Sequence, residues 1–165
     1  IVDMLYAPLS ALEVSIAIIL AAMTRSFLIA IISIAVFSLI AEIPINNILY
    51  IFIFGFLGSF ILGSLGFISG LFCEKFDHTA SITNFIITPL SFLSGAFYSI
   101  DNLPKFFQII SYINPFFYMI DGFRYGFLGA SDGSIKIGII YLTILSFITW
   151  YIAFYLYKKG YKIKS

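Results

Sequence analysis

Pro89-Leu-Ser-Phe-Leu-Ser-Gly-Ala-Phe-Tyr98, followed by Leu103-Pro104, Asn114-Pro115 and Asp121-x-x-Arg124, lies between two strongly apolar runs of a chain that is 61% hydrophobic. Prolines, an asparagine and an acid–base pair have no reason to interrupt segments of this apolarity in a soluble core. In a bilayer every backbone polar group must find its partner within the protein, so a broken element belongs where the chain re-enters or caps a membrane face. The stretch therefore sets the fold class: an all-α polytopic membrane protein in which 101–134 forms short re-entrant helices at one face.

The composition agrees. Soluble domains carry roughly 25% charged residues; this chain of 165 residues carries 10%, with 19% aromatic residues and a mean hydropathy of +1.07. Its formal net charge is +1, and the cations gather at the carboxyl end in Lys158, Lys159, Lys162 and Lys164, which leaves no basic surface for nucleic acid. One cysteine, Cys73, excludes an internal disulfide or thiolate cluster, and the one histidine, His78, makes no metal site without carboxylate help. No cofactor is implied. The chain begins at Ile1, with no basic n-region or small-residue cleavage site before its first apolar run, so it is expected to lack a signal peptide and to be either part of a longer protein or the product of an unusual start.

About 20 mostly apolar residues are needed to cross roughly 30 Å of hydrocarbon. Four segments are expected to do so: 26–41, 48–72, 79–100 and 135–157. Phe106 to Ile120 is apolar but interrupted by Gln108, Asn114 and Pro115, which suits short interfacial or re-entrant helices rather than a crossing. Positively charged flanks are retained on the cytoplasmic side, so the lysine-rich 158–165 tail is expected inside. Four crossings then place 1–25 inside, Glu42 to Asn47 outside, the Cys73 to His78 loop inside and 101–134 outside. Tyr98, Tyr141, Trp150 and Tyr157 fit interfacial belts.

Several elements bear on function. Asp3 to Glu13 is amphipathic, and Ser10 with Glu13 has capping-box spacing, so a helix is expected to start just after Ser10 and run through Ile16 to Met23. Two readings stand for this segment. It is an interfacial helix leading into the first span, or it docks in a groove of a cytoplasmic partner with Leu5, Tyr6 and Leu9 as anchors. Gly55, Ser59 and Gly63, then Gly66 and Gly70, allow close helix approach; packing within one subunit, a dimer seam and a substrate-sliding surface all fit. Thr88-Pro89 removes a helix hydrogen bond and predicts a kink, with Ser91, Ser94 and Gly95 on its outer side as a hinge or simply a packing surface. Asp121 and Arg124, at i, i+3, are expected to pair and pin the re-entrant helices. Arg25 is expected at the inner edge of the first span, its head reaching the interface. Glu74, Lys75, Asp77 and His78 read as a stop-transfer, helix-capping loop. No nucleophile elbow or Gly-Lys-Ser/Thr phosphate loop occurs, so the chain reads as a non-enzyme that does not itself hydrolyse ATP.

With these elements placed, the chain resembles the carboxyl-terminal two-thirds of an ABC-2 type transport permease, the membrane subunit of a class of ABC exporters. The resemblance covers nearly the whole chain. Its most specific parts are Ala7-Pro8-Leu9-Ser10 with Glu13, similar to the family's cytoplasmic coupling segment, and Pro89 to Gly95, including Leu93 and Ser94, with Pro104, Asn114-Pro115 and Asp121-x-x-Arg124, similar to its outer signature. The resemblance implies six spans, of which the first two and a preceding amphipathic helix are lacking here. It also implies two permease copies paired with two ATP-binding subunits in the plasma (inner) membrane, and efflux of a drug, lipid or polysaccharide that the sequence does not identify. The alternative class, a stand-alone secondary transporter or channel, needs ionisable residues inside the membrane, and the expected spans place none at mid-depth.

Overall fold

The computed structural model describes residues 10–72 and 80–160. Leu5, Tyr6, Pro8 and Leu9, the Cys73 to His78 loop, and Lys162 and Lys164 lie outside the described residues. The described chain is helical: α1 (Ala11–Ser38), α2 (Ile48–Phe72), α3 (Ala80–Phe92), α4 (Lys105–Ile113), α5 (Pro115–Leu128) and α6 (Ile135–Lys158), with a single 3-10 turn at Ile100–Asn102.

The first helix starts where the capping box puts it. The Glu13 amide donates to the Ser10 hydroxyl at 3.3 Å, and the Ser10 amide donates back to the Glu13 carboxylate at 2.7 Å. From Ala11 to Ser38 no glycine or proline intervenes, so the helix continues for 28 residues and joins the expected cytoplasmic helix to the expected 26–41 span as one rod. Arg25 accordingly lies near the middle of α1. Hydroxyls along the rods donate to carbonyls three or four residues back, as Thr24 does to Leu20 and Ser64 to Phe60, which hides their polarity in an apolar medium.

Three helices, α1, α2 and α6, are long and apolar enough to cross a membrane. The third expected span, 79–100, is represented by α3, which ends at Phe92 instead of Ile100 and is about 20 Å long at 1.5 Å per residue. Proline explains its form. Pro89 has no amide to give and its ring crowds the carbonyl four residues back; the strain is taken up just upstream as a π-helical turn over Thr83–Ile87, where the Thr88 amide reaches the Thr83 carbonyl. The expected kink thus takes the form of a π turn, and the chain leaves the helix before Gly95, whose φ is +74°.

The second helix is the hub, packed against α1, α5 and α6. Phe54, Leu57 and Ile61 of α2, Met119 of α5 and Leu142 of α6 form the core. The small-residue stripe on α2 divides. A Cβ on Gly55 would lie 3.2 Å from Phe123, and one on Gly63 3.2 Å from Ala22, so these two are contact points within the subunit. Ser59 is buried and bonds the Phe56 carbonyl. Gly66 and Gly70 face open space. A closer approach between helices is made by a pair the stripe does not include: Gly122 sits on the Phe54 ring, and a Cβ on Gly126 would come within 2.9 Å of the Ile51 nitrogen. Many large apolar residues of α1 and α6 remain exposed, among them Ile31, Ile32 and Phe147, as expected for faces that meet lipid rather than water.

Candidate functional site

The break after Pro89 leaves a helix end whose last carbonyls have no intrahelical donors. Each finds a partner from farther along the chain. Asn114 Nδ2 donates to the Leu90 carbonyl at 2.6 Å, the Tyr98 hydroxyl to Phe92 at 2.7 Å, and the Ser111 hydroxyl to Leu93 at 2.9 Å. Arg124 Nη2 donates to the Gly95 carbonyl. Residues singled out in sequence as the outer signature therefore converge physically: the end of α3 and the turn after it supply acceptors, and Tyr98, Ser111, Asn114 and Arg124 supply donors.

Asn114-Pro115 is the joint. Asn114 closes α4 in an extended conformation, as a residue before proline prefers, and its Oδ1 accepts the Phe116 amide at 3.0 Å to cap α5. Pro115 takes the first helical position, where no amide is needed. Pro104 stands at the start of α4, its carbonyl accepting from Phe107 at 2.9 Å. Ser94, Ser111, Asn114 and Asp121 are all buried.

Asp121 and Arg124 do not serve chiefly each other. Their nearest charged atoms are 4.0 Å apart. The Asp121 carboxylate instead accepts the backbone amides of Asp132 at 2.8 Å and Gly133 at 3.0 Å, while Arg124 Nη1 bonds Asp132 Oδ2 at 3.1 Å. Asp132 also accepts the Ile100 amide at 3.2 Å. The expected pair is present at 4.0 Å and forms one edge of a larger relay centred on the α5–α6 loop, whose backbone amides Asp121 holds and whose Asp132 side chain Arg124 holds. Burial pushes the Asp121 carboxyl above the usual carboxylate range despite its two amide donors and Arg124. Burial also raises Asp132, but the Ile100 amide, the Ser99 hydroxyl and Arg124 outweigh it and hold Asp132 below that range.

Asp132 and Ser111 escaped the sequence reading. The available signal was the turn-rich Gly129 to Ser134 stretch, whose single acid falls eight residues after Arg124. Gly129 closes α5 with φ +74°, packed on Asn46, and the Asn46 and Asn47 amides donate to the Gly126 carbonyl, which fixes the start of α2 beside the same cluster.

At the other end of the bundle lies the exposed capping box. Gly63 of α2 faces Ala22 of α1 and Gly55 faces Phe27, so the two helices run antiparallel. Ser10 and Glu13 therefore sit beyond the Phe72 end of α2, remote from Asp121, Arg124 and Asp132. Among the described residues, no group of three His, Cys, Asp or Glu side chains could hold a metal ion.

A family model described as ABC-2 type transporter matches residues 1–128, a range that takes in the capping box and the whole α3–α5 junction. The chain is 39% identical over 102 residues to proteins named inner membrane transport permease YadH from Escherichia coli strain K12, Escherichia coli O157:H7 and Shigella flexneri. The match covers 61% of this chain and 39% of each relative, so the chain spans well under half the length of the curated relatives it matches. No solved structure matches it. With three apolar rods, a proline-broken helix and a polar junction arranged as described, this multi-pass membrane chain belongs to the ABC-2 type transporter family.

Proposed function

We propose that this chain is the membrane-spanning part of a permease subunit that exports a substrate at the expense of ATP hydrolysed by a separate ATP-binding subunit. Two permease copies form the path in the inner membrane, with the carboxyl terminus cytoplasmic. The chain itself is not an enzyme. The observation that carries this reading is the extent of the family match, which joins the amino-terminal segment and the outer junction in one model. The name of the relatives, inner membrane transport permease, supports the same class.

The mechanism follows from the two ends of the bundle. The segment containing Leu5, Tyr6, Pro8 and Leu9 leads through the Ser10–Glu13 cap directly into α1, a rod without a break. A push from an ATP-binding subunit on that segment is therefore delivered to α1 as a rigid-body movement. Because α1 bears on α2 at Gly63 and Gly55, and α2 bears on α5 at Gly122 and Gly126, the movement reaches the outer junction through packed contacts. The π turn of α3 is the element whose hydrogen bonding is least regular and is where bending costs least. The substrate class is a drug, lipid or polysaccharide.

Arg25 lies midway along an apolar rod, where a stand-alone transporter would also place an ionisable group; the family match supports the permease. Cysteine at Leu5 or Tyr6, paired with cysteine on the candidate ATP-binding subunit, is expected to crosslink in native membranes. Labelling of this segment by impermeant reagents from outside intact cells refutes the assignment.

A further inference from the structure

Arg25 lies fourteen residues after Ala11 and thirteen before Ser38, with about 20 Å of helix on either side. Ala22 against Gly63 and Phe27 against Gly55 bracket it at the middle of the 25-residue α2. The polar boundaries of the bundle give the same depth. Tyr157 and Lys158 end α6 beside Phe67, and Asn46 and Asn47 precede α2. An arginine at this depth in a bilayer is expensive unless an anion or water meets it, and such residues mark binding sites or pathways.

The side chain lines a groove of about 590 Å³ between α1, α2 and the end of α6. Helical side chains lean toward the helix amino terminus, so the guanidinium is carried toward Ile18, Ala22, Gly66 and Gly70, away from the outer junction. The groove is left open by its own residues: a Cβ on Gly66 or Gly70 would meet nothing within 4 Å. Leu62, Phe67 and Leu71 line the rest of it with hydrocarbon. Among the described residues no carboxylate lies within ion-pair distance of Arg25.

We infer that this groove binds a phosphate-bearing amphiphile, the phosphate on Arg25 and the hydrocarbon along Leu62, Phe67 and Leu71. Charge complementarity selects the anion, since a guanidinium offers a fork of donors suited to phosphate oxygens. The apolar walls select a chain-bearing ligand over a free ion. The inference requires only that the long helices lie in a bilayer, so it stands or fails apart from coupling to an ATP-binding subunit.

The probe is phosphatidic acid carrying a photoactivatable acyl chain, used on the full permease in phosphatidylcholine nanodiscs, with diacylglycerol bearing the same chain as the uncharged control. Phosphatidic acid is expected to label peptides containing Leu62 to Leu71 at least tenfold more than diacylglycerol. Arg25→Gln should remove most of that excess and Arg25→Lys should keep part of it. Gly66→Leu, which fills the groove and leaves the charge in place, should also block labelling. Millimolar inorganic phosphate should compete weakly; full competition by phosphate identifies a free-anion site and overturns the amphiphile. Equal labelling by the two lipids, or labelling by phosphatidic acid that stays within twofold in Arg25→Gln, overturns the site. A Gly66→Leu protein that elutes as a folded species yet labels normally places the lipid elsewhere and overturns it as well.

Discussion

Exchanging Asp121 and Arg124 should not rescue what either single substitution removes, although the i, i+3 spacing suggests that it would. Truncating Asp121 to alanine strands two amides, those of Asp132 and Gly133, in a buried site. Hydrogen bonds to a charged group contribute about 1.5–3 kcal/mol each, and leaving a buried donor unmet adds to the loss; about 3–5 kcal/mol is expected. Arg124→Ala loses a partly exposed bond to Asp132 and the bond to the Gly95 carbonyl, about 2–3 kcal/mol on the same basis. In the exchanged protein a guanidinium faces two amide donors and a carboxylate faces the Gly95 carbonyl, so both sites oppose like with like. A double-mutant cycle separates the two pairings. Arg124 with Asp132 should couple by about 1–2 kcal/mol, and Arg124 with Asp121, 4.0 Å apart, by under about 0.5 kcal/mol. Asp132→Ala is a clean partner because it keeps the amide that Asp121 holds. The assay is unfolding of the purified full permease in detergent, followed by tryptophan fluorescence. A 121–124 coupling equal to or larger than the 124–132 coupling refutes the relay.

Other consequences are independent of that pair. Asn114→Ala should destabilise by about 2–3 kcal/mol, because it removes both the α5 cap and the donor to Leu90; Asn114→Asp keeps the cap and should recover about half, read in the same unfolding assay. Gly122→Ala and Gly126→Ala should each lose about 2 kcal/mol or more by forcing α5 off α2, whereas Gly66→Ala, facing open space, should be neutral or slightly stabilising. Ser10→Ala should speed amide exchange at residues 11 to 13 without changing global unfolding, since the cap is exposed and terminal.

Much of this architecture could be read in the sequence because the relevant signals are local. Ser10 and Glu13 announce a helix start through bonds that span three residues, and the structure contains both. Pro89 announces a disturbance one turn upstream, and Asn114-Pro115 announces a joint. Hydropathy identified apolar segments but could not divide α1 from its lead-in, because nothing between Ala11 and Ser38 breaks a helix; Arg25, expected at the inner edge of a span, therefore stands near the middle of one continuous helix. The Asp121–Arg124 contact, present at 4.0 Å, proved to be only part of the arrangement, for the opposite reason. Spacing shows which side chains can meet along one helix but not which loop folds back onto them, and the amides of Asp132 and Gly133 outcompete Arg124 for the carboxylate. Gly122 and Gly126 carried the same four-residue signal as the α2 stripe, yet they stood in a segment already read as interrupted, so their role as the tightest contact was missed. Gly66 and Gly70 show the converse: a small-residue period states that close approach is allowed and not that a partner within the chain uses it.

The central claim, that this chain couples a cytoplasmic ATPase to a membrane path, is tested most directly by the ATP hydrolysis rate of the candidate ATP-binding subunit, measured alone and after co-reconstitution with the full permease. Assembly should change that rate several-fold, and Leu5→Asp with Tyr6→Asp should return it to the value of the isolated subunit while leaving the permease folded. A rate indifferent to the permease, or one that keeps its full response when those two anchors are lost, contradicts the account.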